Sequence, residues 1–122
     1  MIEHVVITIS NFAKSKKFYD AALAPAGYRA GFVDKDAGVV GYVGKDGTGV
    51  WLTPGKPQTA QHVALGVATR GGVKKFYDAA LKAGGRDNGA PGPRPQYTPD
   101  YYAAFVYDPD GHNIEAVTHN KR

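Results

Sequence analysis

The chain contains an internal repeat, and this repeat limits the folds open to it more than any other feature. Residues 16–23 read KKFYDAAL, and residues 74–81 read KKFYDAAL again, at an offset of 58 (74 minus 16). The same offset aligns His4 with His62, each at the start of an apolar run. A unit of about 55–60 residues rarely buries its own hydrophobic face, so we expect the two copies to share one structure.

The repeat resumes beyond the helical segments with an offset of 64 (115 minus 51), so that Trp51 aligns with Glu115. The change of offset falls in the proline-rich stretch 90–99, which we interpret as an inserted loop. The chain is therefore predicted to be one domain of 122 residues. Its parts are a first module at 1–54, a linker at 55–60 and a second module at 61–122.

Each module has the pattern β-α-β-β-β. Alternating apolar residues predict strands at the start of each module, and apolar residues at three- and four-residue steps predict the helices, the first capped by Ser10 or Asn11. In the first module we expect a strand at 2–9, a helix to about 24, and strands at 28–33, 38–43 and 48–53. In the second we expect a strand at 61–67, a helix at 71–83, and strands near 85–89 and at 101–107 and 113–118.

The predicted fold class is α+β, with two βαβββ modules. Two curved four-stranded sheets are expected to have the helices outside and a polar trough inside. Because symmetry maps repeated positions onto each other, His4 and His62 should face each other across the trough, as should Trp51 and Glu115. The two modules could pair within one chain or across a swapped homodimer, and the short linker permits either.

Composition excludes several classes of function. The chain has no cysteine, so disulfides, zinc fingers and thiol catalysis are excluded. The net charge is +4, but the lysines are spread over two helices, which argues against a nucleic-acid partner. No apolar run approaches the roughly 20 residues that span a bilayer, and the start of the chain lacks a signal-peptide pattern. We expect a cytoplasmic protein that binds a small molecule.

Three side chains on predicted strands could hold a divalent metal ion. His4 and His62 open equivalent strands, and Glu115 lies in the last strand. Two imidazoles and one carboxylate that converge would leave coordination positions open for substrate, and they suit Fe, Mn, Ni or Zn. This is the predicted metal site.

The motifs HVVITI and HVALGV, each followed by a FYDAAL helix, and the closing DPDGHNIEAV resemble the vicinal oxygen chelate superfamily. This group contains glyoxalases, bleomycin resistance proteins and extradiol dioxygenases. The resemblance covers essentially the whole chain and implies the same fold, a homodimer, and metal ligands at His4, His62 and Glu115.

Trp51 occupies the position where the resemblance implies a fourth ligand. Indole has a donor N–H and no available lone pair, so Trp51 can neither bind metal nor act as a base. This disfavours glyoxalase I chemistry. The open alternatives are a metal-dependent dioxygenase or lyase/isomerase and a non-catalytic binding protein of the bleomycin-resistance type.

No catalytic base is assigned. Trp51 is expected to line the cavity, together with Arg94, Tyr97 and Tyr102, and Arg94 could pair with a carboxylate or phosphate. His112 is expected to be a solvated side chain in a turn. Candidates for acid or base catalysis are Tyr97, Tyr101, Tyr102, His112 and His119.

Overall fold

The computed structural model describes residues 2–122, and its elements follow the βαβββ order twice. The first module contains β1 (His4–Ile9), α1 (Phe12–Leu23), a 3-10 turn (Ala24–Ala26), β2 (Arg29–Asp34), β3 (Val39–Val43) and β4 (Gly49–Pro54). The second contains β5 (His62–Gly66), α2 (Arg70–Lys82), β6 (Arg86–Pro93), β7 (Tyr102–Tyr107) and β8 (Asn113–Thr118). The predicted α+β class is confirmed.

The two modules form two separate four-stranded sheets with equivalent topology. The first sheet has the strand order β1-β4-β3-β2 and the second the order β5-β8-β7-β6. In each sheet the first strand pairs in parallel with the last, and the other pairs are antiparallel. The histidine-bearing strand of each module therefore lies beside the strand that carries Trp51 or Glu115.

Both helices begin where the sequence supplies a capping side chain. Asn11 accepts a hydrogen bond from the backbone N–H of Lys14 at 3.0 Å, and Thr69 accepts one from Gly72 at 3.0 Å. Each cap satisfies a backbone donor that the first helical turn leaves free. The 3-10 turn after α1 ends at Gly27, whose φ of 86° is accessible to glycine at little cost.

The core lies between the sheets and the two helices, which pack against each other. On β1, Ile7 and Ile9 are buried, whereas His4 and Val6 are exposed on the opposite face. Phe18 reaches into the second module, because a Cβ added at Gly85 would come within 2.6 Å of its ring. Helix packing therefore joins the modules, and one face of each sheet stays outside the core.

The repeated phenylalanines are fully buried, so truncating one should destabilise the protein strongly. Phe76 is 0% exposed. We expect Phe76→Ala to lower the free energy of unfolding by about 3–5 kcal/mol, since it leaves a cavity in a packed core. Denaturant unfolding measures this. Tyr97→Ala, which truncates a ring that is 58% exposed, is the control and should change stability little.

The segment 90–99 differs from its prediction as a simple inserted loop. Strand β6 runs from Arg86 to Pro93 and so includes the first part of this segment. Its pairing with β7 shifts register on both sides of Gly89. The prolines are tolerated because β6 is an edge strand, where a missing N–H breaks no ladder on the outer side.

His112 is buried, so the prediction of a solvated side chain was wrong. It is 0% exposed. Its Nδ1 accepts from the backbone N–H of Gln61 at 2.9 Å, and its Nε2 donates to the carbonyl of Thr8 at 2.8 Å. The ring thus links the turn before β8 to the first strand of the other module.

Among residues 2–122, none of the helices has both the length and the apolar character that crossing a membrane requires.

Candidate metal and ligand site

Glu115 is a buried carboxylate on the face of the second sheet that points away from the helices. Its side chain is 2% exposed, and its Oε1 lies 2.9 Å from His62 Nε2. The other oxygen, Oε2, accepts a hydrogen bond from the hydroxyl of Tyr101. A buried carboxylate is costly unless it is paired, and here each oxygen has its own partner.

The sheet register brings His62 and Glu115 together. In the parallel β5–β8 pair, Glu115 lies opposite Ala64, two residues along the strand from His62. Side chains two residues apart share a face, so the imidazole and the carboxylate project from the same side. Phe105 of β7 lies opposite Glu115, and its ring centroid is 6.3 Å from that of His62.

Tyr101 lies immediately before β7 and contacts two aromatic rings. The rings of Tyr97 and His119 contact it edge-on, with centroid separations of 5.1 and 5.2 Å. Burial, and then the hydrogen bond and negative charge of Glu115, raise the pKa of Tyr101 to about 12. The phenol therefore keeps its proton at neutral pH and donates a hydrogen bond to the carboxylate.

His4 lies on the other sheet, apart from these residues. Its Nδ1 is 2.6 Å from Glu3 Oε1, and its side chain is 48% exposed. Over residues 2–122, His4 is not part of any group of three potential ligands with atoms within 4.8 Å of one another. A single chain thus brings together His62 and Glu115 and does not bring His4 to them.

One such group does occur, formed by Asp108, Asp110 and His112, but its atoms already have protein partners. Asp108 accepts from the Tyr19 hydroxyl at 2.6 Å and from the backbone N–H groups of Asp110 and His112. Asp110 accepts from the backbone and side chain of Ser10. His112 uses both ring nitrogens. These bonds join the two modules, and they leave the His112 ring without a lone pair for an ion.

Trp51 occupies the position in the first sheet that Glu115 occupies in the second. It lies opposite Val6, two residues after His4, just as Glu115 lies opposite Ala64, two residues after His62. The register therefore agrees with the equivalence taken from the repeat. The first sheet presents an indole where the second presents a carboxylate.

Trp51 and Phe32 form an aromatic platform on the first sheet. The indole lies directly over Gly41, where an added Cβ would meet the ring at 2.7 Å, so this position admits no side chain. The Phe32 ring is 5.6 Å from that of Trp51 and remains 47% exposed. A flat apolar group could stack on this platform.

Arg94 is held within its own loop. Its guanidinium donates to the carbonyls of Ala90 at 2.8 Å and Gly92 at 2.9 Å, and it lies 5.5 Å from the Phe105 ring centroid. These contacts use most of the donors that a substrate carboxylate or phosphate would need.

The two tyrosines expected in the cavity lie in different environments. Tyr97 is 58% exposed beside Tyr101. Tyr102 is a correction: it is 7% exposed and packs in the hydrophobic core, with Arg70 4.7 Å above its ring. Alternation along β7 explains the difference, because Tyr102 shares the core-facing side with Ala104 and Val106.

The paired βαβββ modules, each with one sheet face outside the core, define a duplicated α+β protein. The chain belongs to the Glyoxalase/Bleomycin resistance protein/Dioxygenase superfamily, whose model matches residues 1–116. No curated protein sequence matches the chain.

Solved structures share this fold over nearly the whole chain. A glyoxalase/bleomycin resistance protein from Albidiferax ferrireducens T118 is 27% identical, with a TM-score of 0.84 and coverage of 97% of this chain and 98% of that one. The fosfomycin resistance protein FosX from Mesorhizobium loti is 14% identical, with a TM-score of 0.72 and coverage of 99% and 93%. A mutant FosX from Listeria monocytogenes, complexed with Mn(II) and a dihydroxypropylphosphonic acid, is 14% identical, with a TM-score of 0.71 and coverage of 95% and 87%.

Proposed function

We propose that the protein is a metal-dependent enzyme that acts on a small molecule through two neighbouring oxygen atoms of that substrate. The observation that carries this proposal is the buried carboxylate of Glu115, paired with His62 on a sheet face that the chain leaves open. A paired acid and imidazole at an open face are typical of a functional site.

The donor set fits a divalent ion. His62 Nε2 and Glu115 Oε1 are 2.9 Å apart, and two ligands about 2.1 Å from one ion at right angles would be about 3 Å apart. Imidazole and carboxylate together suit Fe, Mn, Ni or Zn. Bound there, such an ion would act as a Lewis acid on the substrate oxygens.

A third ligand, His4, is proposed to come from a second copy of the chain in a homodimer. The face of the first sheet that carries His4 also exposes a group of apolar side chains, each between 44% and 47% exposed: Val6, Phe32 and Val43. Apolar surface of this kind favours association. Placing this face against the His62 face of the partner would complete the site and cover both.

The reaction is proposed to be dioxygenase-like or lyase/isomerase-like. Trp51 supplies no base, so the reaction cannot draw on a carboxylate at that position. The residues of this chain would hold the substrate against the platform of Trp51 and Phe32 and exclude water from the site. The mutant FosX solved with Mn(II) and a small phosphonic acid has this fold, which supports a divalent ion and a small molecule as ligands.

The second candidate function is non-catalytic binding of a flat ligand. The aromatic platform favours it, because Trp51 and Phe32 offer stacking surface without any acid or base. Such a protein would need no metal ion.

Metal titration separates the two candidates. We expect chelator-treated parent protein to bind Mn(II), Ni(II), Zn(II) or anaerobic Fe(II) with micromolar or tighter affinity by calorimetry, and His62→Ala to lose this binding. His119→Ala removes an imidazole that makes no hydrogen bond to Glu115 and should keep the binding. If neither the parent nor the variants bind any of these ions, the binding function replaces the enzymatic one.

A further inference from the structure

We propose that Tyr101 is a positioning residue that caps one oxygen of Glu115, so that the carboxylate presents a single oxygen, Oε1, to whatever the site binds. This role deepens the proposed function and rests on it where the bound species is a metal ion. The segment 90–99, which interrupts the internal repeat, would then serve to hold Tyr101 beside Glu115.

The hydrogen bonds of Glu115 are divided between two partners. Tyr101 donates to Oε2, while Oε1 lies 2.9 Å from His62 Nε2. A carboxylate oxygen that accepts a hydrogen bond from a phenol is a poor second ligand, because binding through it would break a hydrogen bond to a charged group. Oε1, whose partner His62 is itself a proposed ligand, is therefore the oxygen left to bind an ion.

The backbone of Tyr101 is fixed from both sides by the segment that breaks the repeat. Its N–H donates to the carbonyl of Thr98 at 3.2 Å, and its own carbonyl accepts from the N–H of Arg94 at 2.7 Å. The Arg94 side chain in turn ties down the carbonyls of Ala90 and Gly92. These hydrogen bonds join the two ends of the loop 94–101, and they fix the position of the Tyr101 side chain.

The first module has no equivalent device. The two modules align at an offset of 58 before the segment 90–99 and at an offset of 64 after it, so the second module has six extra residues (64 minus 58). The six residues thus appear in the module that has the carboxylate, and the module that lacks them has Trp51 at the matching position. The insertion and the carboxylate belong to one arrangement.

A carboxylate that gives one oxygen keeps coordination positions open. With three protein ligands of one atom each, two or three positions remain for two substrate oxygens or water. If Oε2 were free, Glu115 could bind through both oxygens, which fills one of these positions and suits larger ions with more ligands.

Replacing the phenol tests this role, with a matched replacement as control. We expect Tyr101→Phe to weaken Zn(II) binding by roughly 10–100-fold by calorimetry, the range typical when an outer partner of a metal ligand is removed. Tyr97→Phe removes a hydroxyl from the neighbouring ring without touching Glu115 and should leave the affinity within about twofold.

A spectroscopic readout distinguishes positioning from a general loss of structure. Co(II) loaded into Tyr101→Phe should show weaker visible absorption than Co(II) in the parent, because coordination by both oxygens raises the ligand number and changes the geometry. An affinity and a spectrum equal to those of the parent would overturn the proposal.

A metal-free measurement decides the matter if the parent binds no ion, in which case the proposed function fails separately. The unfolding equilibrium constants of Tyr101→Phe, Glu115→Ala and the double variant form a cycle. We expect a coupling of about tenfold or more, as for a hydrogen bond to a charged group. Additive effects would show that Tyr101 does not hold Glu115, and the positioning role would be rejected.

Discussion

Replacing Asp108 with alanine is expected to lower the free energy of unfolding by about 3–5 kcal/mol, because several hydrogen-bond donors lose their acceptor and each buried unpaired donor costs about 1–3 kcal/mol. Asp108 is 1% exposed and accepts hydrogen bonds from the Tyr19 hydroxyl and from two backbone N–H groups of its own turn. The variant would leave these donors buried without partners, and each such donor costs free energy. Burial and Asp108 together raise the pKa of Tyr19 well above its usual value, so the phenol remains the donor.

Urea unfolding of the parent, Asp108→Ala and Asp36→Ala measures this effect. Asp36 is exposed in the β2–β3 turn, so its replacement should change stability by less than about 0.5 kcal/mol. If Asp108→Ala destabilises the protein as little as Asp36→Ala does, the hydrogen bonds that Asp108, Asp110 and His112 make to the first module add little to stability.

The fold could be predicted because the repeat constrains it twice. The KKFYDAAL segments both became helices with phenylalanine at the core-facing position, and Phe18 and Phe76 are both 0% exposed. Alternation placed His4 and Val6 on the open face of β1 for the same reason. These features depend on local periodicity, which sequence carries directly.

The burial of residues where the two modules meet could not be predicted in this way. A histidine in a turn is usually solvated, but His112 is buried because that turn packs against β1. Its burial depends on how two modules meet, and no period in the sequence records that. The Thr8 carbonyl that it contacts is 104 residues away.

The sequence predicted a metal site of His4, His62 and Glu115. The structure puts His62 and Glu115 2.9 Å apart and leaves His4 on the other sheet. Tyr101 was one of several candidate acids or bases. Its contact with Glu115 Oε2 depends on how the loop before it closes, which the sequence pattern does not give. Tyr102 was predicted to line the cavity, but alternation along β7 turns its side chain into the core.

The position of His4 raises the question of which copy supplies it. Within one chain, the His4 side chain is bonded to Glu3 and lies on a different sheet from His62 and Glu115. A dimer in which each site takes His4 from one copy and the other two ligands from its partner would resolve this. That arrangement has a consequence that no single-chain site can reproduce.

We expect His4→Ala and His62→Ala each to lose metal binding alone and to regain it when the two chains are expressed together. Random pairing makes half of the dimers mixed, and each mixed dimer contains one site with both histidines, so about a quarter of the parent's binding sites should return. Calorimetry on the co-expressed protein counts them.

The control pair is His62→Ala with Glu115→Ala, because one chain supplies both of these ligands to a given site. This pair can form no intact site in any dimer, so the co-expressed protein should not bind the metal ion. Recovery in neither mixture, with the parent still binding, would place the whole site in one chain and require a rearrangement of His4 toward Glu115.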